Sequence, residues 1–385
     1  MSAVRLHAVQ TPSKVLLPTS AQRAAPVFFV VLHGFLAHSG AMNSHVVMLR
    51  NALDAQNHAI LENNDTTSRV LPFHITTLDA RNHGLSPHTP THVLSDLVED
   101  LSSYLMHQLP QVVQEVTDHF GVGQLCKHDV EAEGGVMLSQ KRRVVAIGHS
   151  MGSMTWTQYL MDQYQRQASQ SHNNVSAKAT PQNPIDVLGL VSIDMPPITQ
   201  SRMSVDLVDE LLEIIECMKK VDMHLISDLR SAHEEFFRCG MQDIRVRGLC
   251  TANVALTPDP SNPTRKVASW KCNIPALERS IRTRELFLVD PYFKHPLPAG
   301  NAAETMEQKR KEILSCPSVG DVPVLSILGG VSPIGGDPAY GDLWERYAST
   351  LEQHTLPGAS HTVYYDKPHE TIALVNNFLA RIRVR

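Results

Sequence analysis

A serine between two glycines joins an apolar run to a predicted helix near the middle of the chain. The run Val-Val-Ala-Ile at residues 144–147 leads into Gly-His-Ser-Met-Gly at residues 148–152, and residues 154–164 then have the composition of a helix. A strand that turns this sharply into a helix needs glycine on both sides of the serine, because a side chain there would collide with the neighbouring strand or helix. The pattern predicts that Ser150 stands on a tight turn with its hydroxyl exposed at one edge of a sheet.

Further runs rich in valine, isoleucine and leucine carry apolar residues on both faces and stop at Gly, Asp or His. They are residues 27–32, 73–78, 187–193 and 324–328. Such runs are typical of buried parallel strands, and predicted helices at residues 44–53 and 94–109 alternate with the early ones. The sequence therefore predicts an α/β fold with a doubly wound, mostly parallel sheet. In such sheets the reactive groups lie at the carboxyl ends of the strands.

The composition excludes several classes of function. It is that of an ordinary globular protein, since 42% of the 385 residues are hydrophobic and 19% are charged. A net charge of −5, without long Lys or Arg runs, offers no attractive field for nucleic acid. The longest strongly apolar run, residues 27–32, is too short to cross a bilayer. No metal or cofactor is expected, because neither H-E-x-x-H nor a Cys/His cluster has ligand spacing.

A serine hydroxyl becomes a nucleophile only when a neighbouring base takes its proton. In folds of this kind the histidine comes after the acid, on a loop that follows the last strand. His354, His361 and His369 come late enough in the chain. We interpret His354 as a strand-end residue and His369 as an exposed residue in the first turn of a helix over residues 369–382. His361 follows a Gly-containing loop, and we predict that it is the base.

The acid that orients the histidine usually follows the strand at residues 323–328. Here that position holds Gly-Gly-Val-Ser at residues 329–332, and no carboxylate comes until Asp337. One strand earlier, Asp194 directly follows an apolar run and lies at a carboxyl edge beside the strand of the nucleophile. We predict that Asp194 is the acid. Asp337 and Asp259 are the alternatives, and a turn-capping role is the alternative for Asp194 itself.

Backbone N–H groups are the expected ligands for the negative oxygen of a tetrahedral intermediate. In this kind of fold one N–H follows the nucleophile and the other follows an early His-Gly pair, which is here His33-Gly34. We expect these donors at Phe35 and Met151, with Leu36 close by. His33 itself is interpreted as a residue that supports the loop.

Other segments are interpreted as scaffold or as additions to the sheet. Residues 79–86, Asp-Ala-Arg-Asn-His-Gly-Leu-Ser, form a polar turn after a strand. Residues 121–140 and 165–183 break the alternating pattern and are predicted as surface insertions. A helical pattern at residues 205–218, without a strand of the buried type nearby, predicts a helical lid; a separate helical domain is the alternative. The predicted organisation is a core of residues 1–195 and 318–385 with an inserted lid of residues 196–317.

The N-terminal region bears on the compartment. The first 53 residues contain no Asp or Glu but four basic residues: Arg5, Lys14, Arg23 and Arg50. This bias is typical of a mitochondrial presequence. The alternative is that residues 4–9 already form the first strand, which leaves no room for a cleaved segment. Six widely spaced cysteines without a C-x-x-C pair favour a reducing compartment, mitochondrial or cytoplasmic.

Several of these segments together resemble one branch of the alpha/beta-hydrolase fold. The branch is the mitochondrial alpha/beta-hydrolase domain-containing protein eleven group, with related bacterial short-chain esterases and fungal alcohol acetyltransferases. The Arg-Asn-His-Gly-Leu-Ser string at residues 81–86 is its most specific mark, and residues 249–253 and 270–274 are also similar to segments of the group. The group commonly has Gly-Gly-Asn-Ser in place of the usual acid and its carboxylate on the preceding strand, so the resemblance implies the same role for Asp194.

The chain departs from this group at a few positions near the expected acyl pocket. Val331 stands where Asn is usual, Ser153 where Gly is frequent, and Ser-His-Thr at residues 360–362 where Gly-His-Trp is usual. These changes concern the choice of substrate and leave the three predicted catalytic residues in place.

The sequence predicts a serine hydrolase that acts on the ester or thioester bond of a small acyl substrate. Ser150 would attack the carbonyl, His361 would carry the proton and Asp194 would orient the histidine. An acyltransferase with the same residues, in which an alcohol outcompetes water, is one alternative. A non-catalytic module that uses the pocket to hold a ligand is the other. The sequence does not indicate an oligomeric state.

Overall fold

A computed structural model of the chain describes residues 2–15, 21, 24–63, 69–120, 141–172, 183–289 and 318–382. The strands in these residues are β1 (Ala8–Pro12), β2 (Val27–Leu32), β3 (Phe73–Leu78), β4 (Arg142–His149), β5 (Ile185–Ile193), β6 (Val254–Asp259), β7 (Asn262–Trp270), β8 (Val324–Gly329) and β9 (Leu351–Leu356). The helices are α1 (Ser39–Glu62), α2 (Leu94–Ser103), α3 (Leu109–Phe120), α4 (Met151–His172), α5 (Val205–Lys219), α6 (Leu229–Arg238), α7 (Ile244–Ala252), α8 (Ile274–Arg282), α9 (Val363–Asp366) and α10 (Pro368–Arg381). None of these described helices is long and apolar enough to span a membrane.

Seven strands form one sheet in the order β1-β3-β2-β4-β5-β8-β9. Every neighbouring pair is parallel except β1 and β3, which are antiparallel. The prediction of a mostly parallel α/β sheet is confirmed. Because β4 lies between β2 and β5, the carboxyl ends of these three strands meet at one edge of the sheet.

The two faces of the sheet carry separate cores, since alternate residues of a strand point in opposite directions. On one face, Val30 of β2 belongs to a cluster with Trp156 of α4. On the other face, Val31 belongs to a cluster with Leu49 of α1 and Phe378 of α10. Strands covered on both faces must be apolar throughout, which explains why these runs stand out in the sequence.

The segment between β5 and β8 contains the helices α5 to α8 and also the antiparallel pair β6 and β7. The helical pattern predicted at residues 205–218 corresponds to α5, whereas no pattern in the sequence predicts the pair β6 and β7. Most residues of β6 are exposed or half-buried, so the strand lacks the continuous apolar run by which buried strands are recognised. Residues 290–317, the rest of the predicted lid, lie outside the described residues.

The predicted helices differ from the observed ones mainly at their ends. Helix α4 begins directly after Ser150 and continues to His172, so residues 165–172 belong to this helix, and the predicted insertion at 165–183 begins too early. A π-helical turn, Tyr104–Gln108, joins α2 to α3. Residues 173–182 and the predicted insertion at 121–140 lie outside the described residues.

Candidate active site

Ser150 occupies the turn between β4 and α4 in a left-handed backbone conformation, with φ of 51°. The flanking glycines have no room for a side chain. A Cβ atom on Gly148 would lie 2.4 Å from the backbone nitrogen of Ser153, and one on Gly152 would lie 2.4 Å from the carbonyl oxygen of Leu32. The tight turn expected from the sequence is present, and the close approach of backbone atoms is the reason for both glycines.

Asp194 is fully buried at the end of β5 and accepts three hydrogen bonds. Its Oδ2 atom accepts one from Nδ1 of His361 at 2.7 Å and one from the hydroxyl of Ser332. Its Oδ1 atom accepts one from the N–H of Gly329 at 2.6 Å. The end of β8 and the turn that follows it, which lacks a carboxylate of its own, thus donate two hydrogen bonds to the carboxylate that follows the neighbouring strand β5. Charge-assisted bonds of this kind hold a buried carboxylate in one orientation.

The loop that carries His361 is held by neighbouring side chains. The carboxylate of Asp366 accepts hydrogen bonds from the N–H of Ser360, at 2.7 Å, and from its hydroxyl. Nε2 of His149 donates to the carbonyl of His361 at 2.9 Å, and the two rings lie 4.8 Å apart. Burial holds the pKa of His149 well below its usual value, so this ring is neutral. The backbone of His361 is therefore fixed on both sides of its side chain.

The alternative acids and bases lie elsewhere. His354 is part of β9 and pairs with Glu352 at 2.7 Å, and His369 is exposed on α10. Asp337 accepts a hydrogen bond from the N–H two residues on, as a cap of a short 3-10 helix. Asp259 is the last residue of β6, before the turn to β7. None of these four side chains lines the cavity that contains Ser150 and His361.

The amides expected to bind a negative oxygen lie at the cavity with Ser150. Phe35 and Met151 both line it, and neither amide has a hydrogen-bond acceptor among the described residues. Met151 is the first residue of α4, where the N–H groups have no partner within the helix and the helix dipole favours negative charge. The N–H of Leu36, in contrast, donates to Nε2 of His83 at 3.2 Å. The first two amides remain available to a ligand, whereas the third is occupied.

The polar turn at residues 79–86 connects neighbouring loops, as expected for scaffold. The carboxylate of Asp79 accepts hydrogen bonds from the N–H of Ser39 at 2.6 Å and of Leu85 at 2.9 Å. Arg81 is buried and forms two hydrogen bonds to Asp100, at 2.6 and 2.7 Å. Arg81 also forms an ion pair with Asp96 at 2.8 Å. These contacts join the turn to α1 and α2.

Three buried imidazoles support the loop that carries Phe35. The rings of His33 and His83 lie 5.1 Å apart, and those of His83 and His92 lie 5.0 Å apart. Nε2 of His33 accepts from the N–H of Ala80 at 3.0 Å, while its Nδ1 donates to the carbonyl of residue 34 at 2.8 Å. Burial lowers the pKa of His33, holds that of His83 well below its usual value and lowers that of His92 to about 3. All three rings are neutral, and His33 has the supporting role that the sequence indicates.

Ser150 and His361 open into a cavity of about 350 Å³. Most of its wall is apolar, and four methionines contribute to it: Met151, Met154, Met195 and Met203. Helices α5 and α7 supply Leu211 and Leu249 to the wall, so the segment between β5 and β8 covers the site. Methionine is flexible and adapts to the shape of an apolar ligand. Among the described residues, no group of three or more His, Cys, Asp or Glu side chains is arranged to hold a metal ion.

Sequence reasoning gave no role to Ser332 or His149, both of which contact the Asp194–His361 pair. The available signal for Ser332 was its position, since it stands in the turn where a carboxylate is usual. His149 carried no distinguishing signal, because its bond to the carbonyl of His361 joins residues 212 positions apart in the chain.

The sequence and the fold of the chain were compared with those of known proteins. Residues 29–374 match the alpha/beta hydrolase family, and the chain belongs to that family. The solved structure of a marine microorganism esterase has 17% sequence identity and a TM-score of 0.58, with 98% of this chain and 100% of that chain covered. The structure of E-2-(acetamidomethylene)succinate hydrolase has 14% identity and a TM-score of 0.52, covering 97% and 100%. At these identities the likeness shows the fold. The comparison with curated protein sequences gives no match.

Proposed function

We propose that this chain is a serine hydrolase that cleaves esters or thioesters of small to medium acyl groups through an acyl-enzyme on Ser150. The observation that carries the proposal is the 2.7 Å hydrogen bond between His361 and the buried carboxylate of Asp194. This pair stands at the same cavity as Ser150. Nucleophile, base and orienting acid come from the ends of β4, β9 and β5, in the chain order serine, acid, histidine of this family.

In the first half of the reaction, the Ser150 hydroxyl attacks the carbonyl carbon and its proton passes to Nε2 of His361. Asp194 holds Nδ1–H of the ring, so Nε2 presents its lone pair to the serine and the imidazolium is stabilised once it forms. The carbonyl oxygen becomes negative and is bound by the amides of Phe35 and Met151. The tetrahedral intermediate collapses when the carbon–oxygen or carbon–sulfur bond breaks and His361 returns the proton to the leaving group.

In the second half, water replaces the leaving group. His361 takes one proton from the water as the oxygen attacks the acyl carbon, and the same two amides bind the negative oxygen again. Collapse of this intermediate breaks the bond to Ser150, which recovers its proton from His361. The products are the free acid and the unchanged enzyme.

The cavity supports an apolar acyl group of limited size. Its volume of about 350 Å³ lies at the lower end of the range of ligand pockets, and its wall is largely aliphatic and methionine-rich. We assign the role of a lid over this pocket to residues 196–317, between core regions 1–195 and 318–385. The string at residues 81–86 supports a place in the mitochondrial group named above, and with it a mitochondrial location.

The proposal is tested by labelling the purified protein with a fluorophosphonate, which reacts with an activated serine. Wild type should be labelled, Ser150→Ala should not, and His361→Ala should react at least 100-fold more slowly because the hydroxyl loses its base. Circular dichroism of each variant establishes that it is folded, and heat-denatured wild type is the control for non-specific reaction. A folded wild-type protein that resists the probe would contradict the proposal and favour a module that only binds a ligand.

A further inference from the structure

The loop that carries the Phe35 amide is held from the segment between β5 and β8. The side-chain amide of Asn253 donates from Nδ2 to the carbonyl of Leu36 at 2.5 Å. Asn253 directly follows α7 as its C-cap residue and is fully buried. Beside it, Nε2 of His38 donates to the carbonyl of Ala252 at 3.1 Å. Two hydrogen bonds therefore connect the end of α7 to the loop that follows β2.

Leu36 has a backbone conformation that needs such support. Its φ of 56° lies in the left-handed region, which residues with a branched side chain rarely adopt. Its N–H donates to His83 and its carbonyl accepts from Asn253, so both polar groups of its backbone are occupied. Its side chain is buried in a cluster with Ile215 and Leu277, which belong to the segment between β5 and β8.

The conformation of Leu36 bears on the oxyanion site. The two peptide planes that flank Leu36 are fixed by His83 on one side and by Asn253 on the other. The next peptide plane towards the N-terminus carries the carbonyl of Gly34 and the N–H of Phe35. This carbonyl accepts from Nδ1 of His33 at 2.8 Å and from the N–H of Ala37 at 3.1 Å. Because the Ala37 N–H and the Leu36 carbonyl share one peptide plane, the direction of the Phe35 N–H depends in part on the plane that Asn253 holds. A donor for a transition-state oxygen works only when it is aimed at that oxygen before the reaction begins.

Asn253 also touches the wall of the cavity. Its Nδ2 group donates to the carbonyl of Leu249 at 3.1 Å, and Leu249 lines the cavity. Its Oδ1 atom, in contrast, is buried and has no hydrogen-bond partner in the described part of the chain. A buried amide oxygen without a partner is unfavourable. The hydrogen bonds that the Nδ2 group donates, and not packing alone, therefore explain why an asparagine stands at position 253.

We infer that Asn253 is a positioning residue for the oxyanion site: its amide holds the carbonyl of Leu36 so that the Phe35 N–H points at the carbonyl oxygen of the substrate. This inference rests on the proposed function. The segment between β5 and β8 would then have two roles. It lines the acyl pocket, and through Asn253 it orients a backbone N–H that binds the negative oxygen of the transition state.

The test compares Asn253→Ala and Asn253→Asp with Asn273→Ala. Asn253→Asp keeps the shape of the side chain and removes the donor. Asn273 is the matched control, since it lies in the same segment and binds the polar turn through Asn82, at 3.1 Å, and Thr89, at 2.9 Å, without contacting Leu36. The measurements are kcat and KM for a p-nitrophenyl ester, and inhibition by a trifluoromethyl ketone, which forms an oxyanion adduct with the serine. The corresponding methyl ketone reports binding without the adduct.

Both Asn253 variants should lose about 10- to 100-fold in kcat with little change in KM. A misdirected N–H weakens a hydrogen bond that stabilises the transition state much more than it stabilises the bound substrate. Affinity for the trifluoromethyl ketone should fall by the same factor, while affinity for the methyl ketone should stay within about twofold of wild type. Fluorophosphonate titration of reactive sites corrects each rate for the folded fraction, so that reduced stability alone does not mimic the effect.

The possible outcomes distinguish a failure of the role of Asn253 from a failure of the proposed hydrolase function. If wild type hydrolyses the ester and the Asn253 variants retain the kcat of Asn273→Ala, the inference is overturned while the proposed function stands. It is likewise overturned if the two ketones lose affinity equally. If folded wild type neither hydrolyses the ester nor reacts with the fluorophosphonate, the proposed function fails and the inference fails with it.

Discussion

Asp194 and His361 meet across an intervening strand. Asp194 directly follows β5 and His361 follows β9, while β8 lies between these two strands in the sheet. The side chains of Asp194 and His361 are joined by a hydrogen bond of 2.7 Å. The contact is possible because β8 ends at Gly329 and the turn that follows places no carboxylate between Asp194 and His361. A Cβ atom on Gly335, further along this turn, would lie 2.2 Å from Oδ1 of Asp194. The small residues of the turn thus make space for an acid that belongs to the neighbouring strand.

Asp194→Asn should lower kcat by about 10³- to 10⁴-fold, because an amide no longer selects the tautomer of His361 that leaves Nε2 as the base. The shape of the side chain is preserved, so KM should change little. Steady-state hydrolysis of a p-nitrophenyl ester gives both constants.

Asp337→Asn is the matched control for this measurement. Asp337 is the other candidate acid near this turn, but its carboxylate caps a 3-10 helix and accepts from the N–H of Ala339 at 2.9 Å. Its variant should keep the wild-type kcat. Equal rates for the two variants, or a larger loss at Asp337, would contradict the assignment of Asp194.

Ser332→Ala should reduce both activity and stability, whereas Ser326→Ala should not. The hydroxyl of Ser332 donates to the buried carboxylate of Asp194, and removal of a buried hydrogen bond to a charged group costs about 1.5–3 kcal/mol. Without this bond the carboxylate of Asp194 is held less firmly and orients His361 less well, so we expect kcat to fall about 10-fold. Ser326 is equally buried on β8, but its hydroxyl has no partner among the described residues. Urea unfolding and ester hydrolysis distinguish the variants; equal effects would argue against a role for Ser332.

The sequence predicts the sheet and the position of Asp194 because both depend on local signals. Strands buried on both faces leave apolar runs, and an acid directly after such a run lies at the reactive edge. The contribution of Ser332 depends on β8 being next to β5, which no local pattern specifies. The pair β6 and β7 is missed for a different reason, since its residues are partly exposed and lack a continuous apolar run.

The buried histidines are also beyond a local reading of the sequence. The chain has 20 histidines, and nothing near His83 in the sequence indicates that its ring accepts the N–H of Leu36, 47 positions away. The string at residues 81–86 does mark the turn as unusual. Its polar contacts can be attributed to scaffold, but the contact of His83 with the loop that carries Phe35 and Leu36 requires the three-dimensional arrangement.

Arg81→Met should destabilise the protein by about 3–5 kcal/mol, because it leaves the buried carboxylates of Asp96 and Asp100 without their shared partner. The loss should appear in urea unfolding. Reactive-site titration should show that the molecules that remain folded keep their kcat. Arg230→Met is the control, since the exposed pair of Arg230 with Glu234 contributes little to stability. A large loss of kcat per folded molecule would instead place Arg81 in the catalytic machinery.

Buried neutral histidines should make the protein less stable as the pH falls, and His45 isolates this effect at one residue. Its ring is buried against Tyr364, at 5.8 Å between ring centroids, and neither nitrogen has a partner among the described residues. Burial lowers the pKa of His45 from 6.5 to about 4. Between these values the unfolded chain binds one proton more than the folded chain at this site. The contribution to stability is therefore complete above pH 6.5 and is lost as the pH falls towards 4.

His45→Phe keeps an aromatic ring in this place and removes the proton. Between pH 7.5 and 5.5, the free energy of unfolding of wild type should fall by about 1 kcal/mol more than that of His45→Phe. Tyr364→Phe is the control, because burial raises the pKa of Tyr364 to about 12 and its hydroxyl does not titrate in this range. Urea unfolding at the two pH values measures all three proteins. An unchanged pH dependence in His45→Phe would mean that His45 binds its proton equally in both states, through a partner or an opening of the packed core around the ring.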